Sequence, residues 1–195
     1  MQWKGSSMRQ VLHGAFLASL VLASWLGMQA IHEAGHVLGA LAVGARVEIV
    51  VLHPLTISRT DVAPHQQQLV VIWAGPLLGM ALPLVFFALA YFARCPGVEV
   101  LRFFAGFCLI ANGAYIGLGS FARIGDSDEL LRAGAAMCQL WLVGTVGIPA
   151  GLWLWNGLGK RLGVGRNAAL PDRPAILATF AVLVLLLVLG LYVNH

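Results

Sequence analysis

The sequence predicts an all-α polytopic membrane protein, with about five transmembrane helices and a short β-hairpin after the first. Three observations predict it. The chain of 195 residues is 59% hydrophobic and only 10% charged, whereas ordinary soluble domains carry about 25% charged residues. So few charges cannot cover the surface of a soluble protein of this size. Its mean hydropathy is +0.85. Apolar runs long enough to cross a bilayer, about 20 residues each, recur along the chain.

The first apolar segment extends from about Val11 to Gly44. Lys4 and Arg9 precede it, as they would a signal peptide. The run continues past Ala30 into His32 and on to Val43, too long for a cleaved signal, and no turn residue divides it. It reads as one long helix that extends beyond the hydrocarbon. From Ala45 to Pro64 the pattern changes. Val47, Ile49 and Val51 alternate with Arg46, Glu48 and Val50, His53-Pro54 supplies a turn, and Leu55 to Thr60 continues with β-branched residues. That is the signature of a hairpin at the membrane edge.

A second span covers about Gln68–Phe92, with Gly75-Pro76 marking a helix start or local break. A third runs from Val98 to about Leu118. A polar loop, Ser120 to Arg132, follows. The fourth span is about Ala135–Gly157, Leu158 to Arg173 is a basic connector, and Ala175–Val193 is a plain Leu/Val/Ala helix. The whole chain, 1–195, reads as a single domain with its core at about 11–132 and additional helices in 135–193.

The net charge of +4 comes from basic residues scattered near segment ends, a membrane-protein pattern and not a nucleic-acid signal. Lys4, Arg9, Arg94, Arg102, Lys160, Arg161, Arg166 and Arg173 fall on the N-terminal side, against Arg46, Arg59, Arg123 and Arg132 on the other. The positive-inside rule therefore places the N-terminus in the cytoplasm. Cys95, Cys108 and Cys138 are isolated, with no CxxC pair, which argues against a disulfide framework or a cysteine zinc site.

The chemistry concentrates in His32-Glu33-Ala34-Gly35-His36, an HExxH sequence. On a helix, residues four apart share a face, so both imidazoles can address one metal ion. Glu33 stands beside them, where a carboxylate can take the proton of an attacking water. A cluster of two histidines and a glutamate that merely satisfy one another is costly in a membrane. A central charge there costs about 2.5–3.5 kcal/mol, and ionisable groups default to function.

Catalytic zinc takes three protein ligands, so a third must come from elsewhere. His13 is more than five helical turns from His32 and too far. His53 and His65 flank the hairpin and read as interfacial loop residues, and His195 is terminal. The acidic cluster Asp126, Asp128 and Glu129 remains, since a carboxylate completes a His₂ site well. Asp126 or Ser127 also suits a helix N-cap before Glu129-Leu130-Leu131. Gly35 and Gly39, Gly75 and Gly79, and Gly113 and Gly117 are small-xxx-small pairs that let membrane helices pack closely.

HEAGH in an apolar helix, a β-region, Ala74-Gly75-Pro76 in a second span, Asn112 in a third and an aspartate motif beyond it resemble the site-2 protease family of intramembrane zinc metalloproteases. The resemblance covers about Val11 to Arg132. The aspartate motif departs from the family's. Asp126 comes fourteen residues after Asn112, no proline lies between, and Ser127 stands where the family has glycine.

The resemblance implies zinc held by His32, His36 and an aspartate. Asp126 is preferred for its spacing to Leu130-Leu131, with Asp128 as the rival. It implies Glu33 as general base and peptide-bond hydrolysis in a membrane protein or peptide substrate. It gives Asn112 a contact to the substrate backbone or developing oxyanion, against an alternative as interhelical glue worth about 1 kcal/mol. It also places the C-terminal end of the HExxH helix toward the cytosol, opposite to the basic-residue count. The hairpin at Arg46–Thr60 offers an edge for an extended substrate strand. Two other readings stand beside it: a catalytically inactive relative that uses the metal structurally, and a metal transporter. The transporter is disfavoured because the second, fourth and fifth spans carry almost no polar residues.

Overall fold

The computed structural model describes residues 3–54, 57–164 and 173–193. Among the described residues the regular structure is helical apart from one small sheet. The helix α1 is Trp3–Ala42, unbroken as its uninterrupted apolar sequence predicts. The strands β1 (Val47–Val51) and β2 (Arg59–Val62) follow, then α2 (Gln68–Phe92), α3 (Val98–Gly117), α4 (Gly119–Ala122), α5 (Gly125–Arg132), α6 (Met137–Trp155), α7 (Leu158–Arg161) and α8 (Arg173–Val193). Among the described residues, five stretches are long and apolar enough to cross a membrane: Gln10–Ala42, Gln68–Phe92, Val98–Ala122, Met137–Trp155 and Arg173–Val193. Large apolar side chains such as Leu22, Leu38, Val85, Leu142 and Leu185 stay exposed on them, as lipid-facing residues do.

The hairpin forms where the alternating pattern placed it. β1 and β2 pair antiparallel, with Val51 opposite Arg59 and an irregularity between Val47 and Ile49. Part of its turn, residues 55–56, lies outside the described residues, as does His195. Two residues one turn apart on α1 tether β2 and the segment leading into it. Gln29 Oε1 accepts from the Ser58 N–H at 2.9 Å, and Glu33 Oε2 accepts from the Thr60 hydroxyl at 2.8 Å.

Two expectations are corrected. Gly75-Pro76 neither starts nor breaks a helix, because both residues lie inside α2. Proline there removes one backbone donor, and close packing on α1 keeps the helix continuous. A Cβ on Gly39 would sit 2.7 Å from Ala74 Cβ and 3.1 Å from Val71 Cα. The segment after the third span is not a loop. It folds as α4 and α5, since its serines satisfy the carbonyls that the end of α3 leaves open. Ser120 Oγ donates to Gly117 O at 2.6 Å, and Ser127 Oγ to Tyr115 O at 2.8 Å and Ile116 O at 3.2 Å.

The core is layered along the bundle. Phe16 and Leu20 of α1 pack on Leu158 and Leu162. Ala105 and Leu109 of α3 meet Leu154 of α6. Ile116, Leu130 and Leu140 close the end that carries α5. Glycines set the α3–α6 spacing, and a Cβ on Gly117 would lie 2.7 Å from Gly144 Cα. The connector between α6 and α8 is partly structured, because α7 buries Leu158 and the turn after it buries Leu162. Leu162 O accepts from His13 Nε2 at 3.0 Å, so His13 serves the bundle far from the HExxH sequence.

Candidate metal centre

The HExxH sequence lies within the spanning part of α1, and its five residues divide by helical face. His32 and His36 point together toward α2 and α3, while Glu33 points toward β2. The ring nitrogens His32 Nε2 and His36 Nε2 lie 3.1 Å apart. Gly35 makes the approach to α2 possible, since a Cβ there would strike the Ala74 carbonyl and lie 2.7 Å from Gly75 Cα. Gly75 in turn backs the His36 ring, which any side chain at that position would overlap. The Ala74-Gly75-Pro76 stretch is thus the wall against which His36 is set.

Both imidazoles are oriented from behind. His36 Nδ1 donates to Val71 O at 3.0 Å, and His32 Nδ1 donates to Asn112 Oδ1 at 2.7 Å. When Nδ1 carries the proton in a neutral imidazole, Nε2 presents a lone pair. Such bonds to the distal nitrogen are what metal-binding histidines ordinarily make.

The third group is Asp126, in the first turn of α5. Its Oδ2 lies 2.8 Å from His32 Nε2 and 3.2 Å from His36 Nε2. These two histidines and this aspartate could hold a metal ion. Two nitrogens and one oxygen at 2.8, 3.1 and 3.2 Å from one another suit that role. In a tetrahedral zinc site with bonds of about 2.0–2.1 Å, ligand atoms lie about 3.3 Å apart. The donor set is a histidine pair with one carboxylate, which zinc accepts.

Burial would raise the Asp126 pKa, but the hydrogen bonds and charges of His32 and His36 outweigh it and hold the carboxyl below the usual range. Glu129, one turn further along α5, is pushed up by burial and by the negative charge of Asp126.

Two local features place Asp126. Ser127 is fully buried and clamps α5 onto the end of α3 through its two carbonyl bonds. Where the resembled family has glycine, this serine is a structural pin. Gly125 has a φ of +50° and presses on the Tyr115 hydroxyl, so a side chain there would be strained and would collide. Neither Asp126 nor Ser127 caps the helix. The N-cap is Ile124, with no side-chain cap bond. Asp128 turns away from the histidines and pairs with Arg123 at 3.2 Å and Arg132 at 2.6 Å.

A cavity of about 560 Å³ opens beside the cluster. Glu33, His36, Asp126, Glu129, Tyr115 and the strand residues from Arg59 to Val62 line it. Glu33 is 6% exposed and stands outside the ligand set. His65 also borders the cavity, with its Nδ1 donating to Ala63 O at 3.0 Å, while His53 lines a separate crevice with Gln29 and Gly190.

Asn112 is brought to the centre, behind His32, and is not among the residues lining the cavity. Its amide donates to Cys108 O at 2.9 Å, and it is 1% exposed. Sequence reasoning missed Tyr115, Thr60 and the Val71 carbonyl. Tyr115 lies three residues after Asn112 on α3, a spacing that hints at a shared side. A strand threonine and a backbone carbonyl carry no such signal.

No protein-family model, curated protein or solved structure matches the chain.

Proposed function

We propose that this chain is an intramembrane zinc metalloendopeptidase of the site-2 protease kind, acting in a bacterial cytoplasmic membrane on a membrane protein or membrane-proximal peptide. The convergence of His32 Nε2, His36 Nε2 and Asp126 Oδ2, with each imidazole fixed through its Nδ1, carries the reading. Bound there, zinc would supply Lewis acidity, making a water more acidic and polarising a peptide carbonyl.

The chain's own residues do the rest. His32, His36 and Asp126 hold the ion. Glu33 borders the cavity with a carboxylate that no ligand role occupies, within reach of a proton on an attacking water. Thr60 orients that carboxylate through its hydroxyl. β2 runs along the cavity, which supports an extended substrate strand pairing there, since an unwound segment exposes its carbonyls for attack.

A relative that uses the metal only structurally has less support. A buried glutamate outside the ligand set carries a desolvation cost that one hydrogen bond from Thr60 offsets only in part, and catalysis gives it a use.

Zinc analysis and a cleavage assay of the purified protein test the proposal. Glu33→Gln is expected to keep its zinc and lose cleavage. Asp126→Asn is expected to lose both, and Asp128→Asn to keep both. Full activity in Glu33→Gln would sink the peptidase reading. Full zinc in Asp126→Asn would sink the ligand assignment.

A further inference from the structure

We propose that the Tyr115 hydroxyl is the hydrogen-bond donor to the carbonyl oxygen of the peptide bond under attack. This rests on the peptidase reading above and adds a catalytic residue to it. A developing oxyanion needs a donor placed in advance. Asn112 is one donor that the sequence offers, but both ends of its amide are committed, to His32 and to Cys108. Three residues further along α3, Tyr115 reaches the cavity.

The surroundings of the hydroxyl define its role. It accepts from the Asp126 N–H at 3.2 Å. Among the described residues, no acceptor takes its own proton. The ring is held edge-on to His32, with centroids 5.8 Å apart. Gly125 backs the hydroxyl so closely that no side chain fits there. A phenol held on three sides, with its acceptor used and its proton uncommitted, borders the same cavity as Glu33, His36 and Asp126.

In the step, the water oxygen bonds to the carbonyl carbon and the π pair moves onto the carbonyl oxygen. Glu33 takes one water proton. The oxygen that has gained charge accepts the Tyr115 hydrogen bond, and Tyr115 keeps its proton. The pair on that oxygen then re-forms the C=O bond as the C–N bond breaks, and the C–N electron pair stays on nitrogen, which takes the proton from Glu33. The products are a carboxylic acid and an amine, and Glu33 is restored.

The test uses the full-length protein in detergent, with labelled casein as an unfolded substrate and a phosphinic peptide as the tetrahedral analogue. Tyr115→Phe is expected to keep its zinc and its KM while kcat falls about 10²–10³-fold. Its affinity for the phosphinic peptide should fall in parallel, since the analogue resembles the transition state. Placing 3-fluorotyrosine at 115 keeps the donor but makes it more acidic. Activity should persist.

A Tyr115 that merely supports the Asp126 backbone would show lost zinc with unchanged analogue affinity per zinc bound. That result overturns the proposal, as does loss of activity in the fluorotyrosine variant, which keeps the donor. Full kcat in Tyr115→Phe beside an inactive Glu33→Gln overturns it and leaves the peptidase reading intact. A zinc-loaded wild type that neither cleaves casein nor binds the phosphinic peptide overturns both.

Discussion

Asn112 Oδ1 accepts from His32 Nδ1 at 2.7 Å across the contact between α3 and α1. That bond sets the imidazole's tautomer and ring plane, so the asparagine acts on the metal site through the histidine. Asn112→Ala is expected to lower zinc affinity about 10–100-fold, the usual effect of losing such a partner. Asn112→Asp, which retains an acceptor, should recover most of it. Chelator competition measures both, and equal affinity in all three proteins would show that the bond does not tune the site.

Gly75 has no room for a methyl group because the His36 ring occupies it. Gly75→Ala should therefore displace His36 and strip the metal. The accompanying loss of stability should be about 1–3 kcal/mol, the usual cost of overpacking. Zinc stoichiometry and thermal melting in detergent report the two effects. Retained zinc would mean that the α1–α2 contact is softer than the packing indicates.

Ser127→Ala removes the donor shared by Tyr115 O and Ile116 O. Leaving a buried acceptor unsatisfied costs about 1–3 kcal/mol. The larger consequence should be local. With α5 unpinned from α3, Asp126 loses its fixed position and zinc affinity falls more than global stability does. Affinity unchanged against a lowered melting temperature would contradict this.

The raised pKa of Glu129 has a defined sign in stability. Its folded value stands above the ordinary 4.5 because burial and then Asp126 disfavour the charged form. The native state therefore binds more protons than the unfolded chain in that window, and stability falls as pH rises through it. In metal-free protein, Glu129→Gln should melt higher than wild type at pH 7. The difference should vanish below pH 4.5. A variant that is less stable at pH 7 would mean that the carboxylate finds compensating partners.

Thr60→Val removes the hydroxyl that Glu33 Oε2 accepts from, while keeping the β-branched shape. Zinc content should be unchanged, because Thr60 touches no ligand. Cleavage should fall about 10-fold or more, as Glu33 loses its orientation. A parallel loss of zinc would instead assign Thr60 to the stability of the whole centre.

Much of this protein was decided locally. Apolar runs with few charges can only be membrane-length helices, so the five spans and the unbroken α1 follow from composition and length. Alternation at Val47 to Val51 suffices for a strand. The spacing of His32 and His36 puts two imidazoles on one face, because helical periodicity is a property of the backbone alone.

What closes the site is not local. Asp126 and Asp128 are the same residue type two positions apart, and beyond the resembled family's spacing to Leu130-Leu131 nothing in the sequence ranks them. Their difference arises where α5 docks. Ser127 pins the helix to the α3 carbonyls, which turns Asp126 to the histidines and leaves Asp128 to Arg123 and Arg132. Asn112 likewise reads as a polar residue in a span until α1 lies against α3 and its amide is taken by His32 and Cys108. Pairings of residues 80 and 94 positions apart depend on how helices cross, and side-chain volumes and glycine contacts decide that only when the bundle is assembled.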